Sequence, residues 1–214
     1  MPQREHAYNT IRNAITYGDL KPGERLIEKK LCEVFNLGRT PLREALSQLQ
    51  IEGYLDFVPN KGLTVSRISY KDAEEIYCVL ARLEGCAAEL ATTFLDKENE
   101  KELRLLEKEL EEAWAAKNYK EWINKNTLFH EYFAKASGNE FLYKLIMSLR
   151  NRIYRYRVIA VTIPSPINEY FQNHAEILDA MSRKKGEQTG DAMRRHISLV
   201  GERLVEFLKN IPWL

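Results

Sequence analysis

No apolar run in this 214-residue chain approaches the ~20 residues that span a bilayer, so a membrane-helix protein is excluded. The polar start Pro2-Gln3-Arg4-Glu5 is not expected to act as a signal peptide. Cysteine is scarce and odd in number. Cys32, Cys78 and Cys86 lack metal-ligand spacing and are expected as small buried hydrophobes on helices, in a reducing cytoplasm. Ten glycines and seven prolines beside 44% hydrophobic residues exclude low-complexity and collagen-like classes. An excess of one charge is missing too. Residues 1–70 hold ten Lys and Arg against eight Asp and Glu, and the remainder 22 against 23, so nucleic-acid binding would need locally placed cations. Also missing are an HExxH motif, a nucleophile elbow and a phosphate-cradling loop, which removes the commonest hydrolase signatures.

What is present begins with Gly38-Arg39-Thr40-Pro41-Leu42-Arg43-Glu44-Ala45-Leu46-Ser47-Gln48-Leu49. Thr40 is expected as N-cap with Pro41 at the first helical position. Leu42, Ala45, Leu46 and Leu49 recur at i, i+3, i+4 and i+7 and define one buried face. Arg39, Thr40, Arg43, Ser47 and Gln50 lie on the other face and the N-terminal end, as in a recognition helix that reads phosphates and base edges. A preceding helix over 28–35 turns Leu31, Val34 and Phe35 inward, and Asn36-Leu37-Gly38 is a turn of helix-turn-helix length. A first helix, lined by Tyr8, Ile11 and Ile15, ends at Gly18. Strands over 54–58 and 63–65 flank Pro59-Asn60-Lys61-Gly62, a wing with a basic tip.

This stretch resembles the DNA-binding domain of GntR-family bacterial transcription regulators. The resemblance rests on Tyr8, Ile11-Arg12, Gly18 through Leu26, Leu31, Arg39 through Leu46, Leu49, Glu52-Gly53 and Pro59 through Gly62. It implies operator contacts from Lys29, Arg39, Thr40, Arg43 and the wing-tip Gly62, and the basic tip itself adds Lys61 as an expected DNA contact. One departure is Gly38, where the family usually has Ser or Thr.

Beyond Ser66 a helical period takes over. Ser69 and Asp72 form a capping-box start, after which Ile76, Val79, Leu80, Leu83, Ala87 and Leu90 mark the inner side of a helix running to about Leu95. Further helices are expected over 97–116, 120–136, 140–161 (ended by Pro164-Ser165-Pro166), 168–184 and 188–209. The Glu and Lys residues of the 97–116 helix read as a solvated face around Leu103, Leu106, Leu110 and Trp114. The expected fold class is mainly α: a winged helix-turn-helix over 1–67, then an all-α antiparallel bundle over 68–214 for effector binding and dimerisation.

Three of the four histidines fall on apolar faces of that bundle. His174 and His196 stand eleven residues either side of a hairpin centred near residue 185, which brings them to one level in an antiparallel pair. Asn126 and His130 share a helix face at i and i+4. Three imidazoles and an amide oxygen suit a divalent transition metal, zinc or nickel; a metal-free polar pocket and a His₃ metalloenzyme are the alternatives.

The bundle in turn resembles the FCD effector domain of the FadR-type branch, through Val79 to Glu84, Phe129-His130, Ser137-Gly138-Asn139, His174 to Ile177 and Met193 to Ile197. The resemblance implies a pocket metal held by an Asp and three His and completed by a small carboxylate effector. Here Asn126 stands at the Asp position. It also implies an effector contact from Arg82. Arg150, Arg152, Arg155 and Arg157 alternate along one helix, so only one or two can face a pocket. The expected protein is therefore a ligand-responsive, homodimeric DNA-binding regulator of palindromic operators rather than an enzyme.

Overall fold

The computed structural model describes residues 3–67, 69–160 and 167–210, with backbone alone for 155–160. Helix α1 (Gln3–Tyr17) buries Ala7, Ile11, Ala14 and Ile15 against Leu42, Ala45, Leu46 and Leu49 of α3 (Arg39–Ile51). Helix α2 (Glu28–Phe35) ends at Asn36, whose left-handed backbone (φ 52°) turns the chain into α3. Strands β1 (Leu55–Val58) and β2 (Gly62–Val65) pair antiparallel, with Leu55 opposite Val65 and Val58 opposite Gly62. The segment after α1 joins this wing. Gly23 N–H donates to the Val65 carbonyl (2.7 Å), Val65 N–H to Glu24 (2.9 Å) and Leu26 N–H to Leu63 (2.9 Å). Together these elements enclose one hydrophobic core.

A separate core lies in the bundle of α4 (Tyr70–Phe94), α5 (Lys97–Ala115), α6 (Tyr119–Ala136), α7 (Glu140–Ala160), α8 (Ile167–Ser182) and α9 (Gly186–Lys209). Side-chain caps set four of the starts, among them that of α7, where Asn139 Oδ1 accepts from Leu142 N–H (3.0 Å). Ser69 and Asp72 complete a reciprocal capping box, Asp96 accepts from Asn99 N–H, and Asn118 accepts from Glu121 N–H. Helices α4 and α9 approach closely. A Cβ at Gly85 would lie 2.9 Å from the Gly190 carbonyl oxygen, and one at Gly190 would lie 2.8 Å from that of Gly85. Two facing glycines thus let the backbones touch, which brings Glu84 and His196 to the same interior.

Several expectations are corrected here. Helix α3 begins at Arg39, with Gly38 as its N-cap and no side-chain cap, so Pro41 is the third helical residue and Thr40 is not a cap. Proline costs no hydrogen bond anywhere in a first turn, where amides have no intrahelical acceptor, so its presence does not fix the start to one residue. Val34 is exposed rather than inward, as are Val79 and Leu90 on α4, where the buried stripe instead runs through Ala73, Tyr77, Leu80, Glu84, Ala87, Ala88 and Ala91. Small residues admitted by the close α4–α9 contact carry that stripe, and apolarity alone misplaced it. Cys78 and Cys86 lie exposed on the same outward face of α4, and Cys32 is half-buried. The helix end expected at Pro164-Ser165-Pro166 lies outside the described residues.

Candidate metal centre and nucleic-acid interface

Arg39, Thr40 and Arg43 are exposed at the N-terminal end of α3, where the helix dipole and unsatisfied amides favour anions. Lys29 is exposed on α2, and Lys61 at the wing tip. Gly62 holds φ +80° at the start of β2, and no atom lies within 4 Å of where its Cβ would stand. Arg43 Nε donates to Glu28 Oε2 at 2.8 Å, an ion pair with both side chains well solvated. Helix α3 is tied to α1 from behind. Tyr8 donates its hydroxyl to Glu52 (2.5 Å), Arg4 donates to Gln48 (3.1 Å), and Tyr8, desolvated and beside the Glu52 carboxylate, has its phenol pushed up to about 12.

Inside the bundle, His130 of α6, His174 of α8 and His196 of α9 converge. One ring nitrogen from each lies within 4.8 Å of the others, and all three residues are buried. His174 Nε2 and His196 Nε2 stand 3.3 Å apart. Two nitrogens bound to one tetrahedral zinc at about 2.0–2.1 Å would be roughly 3.3–3.4 Å apart, so this spacing fits such an ion. The outer nitrogens are oriented by carboxylates. His130 Nδ1 is 2.7 Å from Glu84 Oε2, and His174 Nδ1 is 2.7 Å from Glu107 Oε2. A carboxylate on Nδ1 fixes the tautomer that offers Nε2 to a metal. Phe129 stacks flat on the His174 ring (centroids 4.1 Å, 8° between planes), holding it in place from the side. The donor set therefore fits a divalent transition ion, which when bound would polarise and help hold an oxygen ligand.

Asn126 is fully buried one turn before His130, as the helical spacing requires. Its amide nitrogen donates to the Tyr170 hydroxyl. Tyr170 in turn packs its ring 4.3 Å from that of His174 and 5.1 Å from that of His196, so Asn126 belongs to the same buried group.

The arginines fall differently from expectation. Arg82 is exposed on α4, donating to the Cys78 carbonyl (2.7 Å) and lining a surface groove between α4 and α9, so the structure does not bring it to the histidines. Its side chain follows the outward face that carries Cys78, one turn earlier. Arg150 is the buried guanidinium at the cluster: its Nη1 donates to Glu84 Oε1, opposite the oxygen held by His130. Arg152 is exposed and lies against the wing domain near Gly53, and the side chains of Arg155 and Arg157 lie outside the described residues. Two residues of the buried cluster escaped sequence reasoning. Glu84 stood among apolar α4 residues, a signal worth reading as a buried partner, whereas Glu107 was masked by the many solvated glutamates of α5. Burial pushes the Glu107 carboxyl up to about 8.

Two family models match the chain. The one described as bacterial regulatory proteins, gntR family, covers residues 3–65, and the FCD domain model covers residues 75–199. The chain belongs to the GntR family, in the group that carries an FCD domain. Among curated relatives it is 31% identical over 208 residues to the uncharacterized HTH-type transcriptional regulator YdhC of Bacillus subtilis, covering 95% of this chain and 90% of that protein. It is 30% identical over 184 residues to the HTH-type transcriptional regulator McbR of Escherichia coli, covering 84% and 82%. The solved structure of Escherichia coli McbR/YncC superposes with a TM-score of 0.82 at 26% identity, over 97% of this chain and 99% of that one. This GntR-family protein is accordingly a DNA-binding transcription regulator and not an enzyme.

Proposed function

We propose that this GntR/FCD protein is a ligand-responsive regulator whose bundle senses a small carboxylate metabolite through a metal-containing pocket. The observation that carries this reading is the convergence of three buried imidazoles, two of them backed by buried carboxylates. His130, His174 and His196 hold zinc or nickel, with Asn126 as a weaker neutral fourth ligand, and the carboxylate completes the coordination. Residues 1–67 read operator DNA through Lys29, Arg39, Thr40, Arg43, Lys61 and Gly62, and residues 68–214 sense and dimerise. The protein acts in the cytoplasm on palindromic sites as a homodimer. An exposed apolar strip supports the dimer: Val79, Leu90 and Phe94 on α4 with Phe141 and Leu145 on the adjoining α7. Relatives named as repressors, such as GlaR of Escherichia coli at 28% identity, support repression as the output.

The test is metal analysis of untagged protein and of His174→Ala. One equivalent of zinc or nickel in the wild type and none in the variant is the expected result. Metal-free wild type that cannot be reconstituted would reduce the cluster to a polar pocket.

A further inference from the structure

Arg150 is 4% exposed and uses only part of its guanidinium. Nη1 donates to Glu84 Oε1, while Nε and Nη2 are buried with no hydrogen-bond partner among the described residues. A buried N–H without an acceptor is costly, and an arginine has two of them along one edge. The Nε/Nη2 edge is the fork that matches a planar carboxylate with two parallel hydrogen bonds. Glu84 does not supply them: one of its oxygens faces Arg150 Nη1 and the other His130 Nδ1. The charge balance points the same way. The buried group holds Arg150 with Glu84 beside it and Glu107 on His174, so even with both acids ionised a divalent ion would leave a buried excess of positive charge that an anionic ligand neutralises.

From this we infer that the Nε/Nη2 edge of Arg150 is the anion anchor of the effector pocket, recognising a carboxylate by charge and fork geometry independently of any metal-bound oxygen. The inference deepens the sensing role proposed above and rests on it. Arg150 and His130 share Glu84, so the anchor and the metal ligand are held by one carboxylate and are positioned together.

Isothermal titration of Zn²⁺-loaded protein with acetate, lactate and succinate, each paired with its uncharged amide, tests the anchor. At least one acid should bind the wild type tenfold or more tighter than its amide, a comparison that needs no variant. Arg150→Lys, which keeps the charge but loses the fork, should weaken that acid by about tenfold or more, the scale of a lost charge-assisted pair. Its Zn²⁺ isotherm should still show one ion per chain. Equal binding of acid and amide, equal binding by Arg150→Lys and wild type, or no acid bound at all would overturn the anchor, leaving the edge to ordered water. If the wild type takes up no Zn²⁺, the metal reading fails separately, and the same acids on metal-free protein decide Arg150 by the same two comparisons.

Discussion

Glu107 is the residue whose environment departs furthest from its sequence context. On a helix dense with solvated charge, it alone turns inward to meet His174. Its carboxyl is raised by burial from 4.5 to about 8, so the folded state binds a proton that the unfolded state releases from about pH 4.5 upward. A raised folded value means stability present at low pH and lost as pH rises through 8. Metal-free protein should therefore lose stability between about pH 5 and 8 relative to Glu107→Gln, by up to a few kcal/mol, measured by urea denaturation in EDTA. A flat difference between the two proteins across that range would show that Glu107 stays charged. In metal-loaded protein the same substitution removes the group orienting His174, and zinc affinity should drop by about 10–100-fold. The histidines themselves were legible in the sequence because equal spacing from a hairpin fixes their level. Arg150 was only partly so, and Glu84 and Glu107 were not, since a charged residue's burial depends on which partner meets it across the bundle, and that is long-range information.

At the level of elements, most helices and both wing strands were readable from caps, glycines and apolar period, because those signals act within a turn or two of chain. The inner stripe of α4 was not. Its alanines and glycine are buried by the approach of α9, about a hundred residues later, and Val79 and Leu90 are left outside. The junction of the wing with α7 is another long-range feature. Gly53 closes α3 at φ +81°, and a Cβ there would come within 2.7 Å of the Arg152 side chain; Gly18 closes α1 at φ +91° with nothing within 4 Å. Gly18→Ala should thus cost only left-handed strain, about 1 kcal/mol. Gly53→Ala should cost more, with the excess recovered in Gly53→Ala/Arg152→Ala, a comparison that thermal melts of the four proteins can make. Equal melting shifts for the two glycine variants would mean that Arg152 simply swings aside.

For the whole molecule the question is how the buried histidine cluster, in its proposed sensing role, is linked to the exposed helix α3. Helix α7 touches both. Arg150 reaches Glu84 in the bundle interior, Arg152 lies against Gly53 at the end of α3, and α1 packs on α7 nearby. A ligand seated on the Nε/Nη2 edge of Arg150 would shift the axis that carries Arg152, and with it the relative placement of the two cores. On the DNA side, the operator contact proposed for Arg43 requires it to leave Glu28, a small cost because an exposed pair contributes at most about 1 kcal/mol. Arg43→Ala should abolish specific operator binding, because the lost base or phosphate contact outweighs the relieved pair. Arg152→Ala separates sensing from output. It touches neither the histidines nor the exposed end of α3, so metal uptake should persist while the effector-induced change in operator affinity falls by about fivefold, the low end of typical coupling energies. Fluorescence anisotropy of labelled operator with and without saturating effector reads this directly. A variant that responds like the wild type would remove α7 as the link.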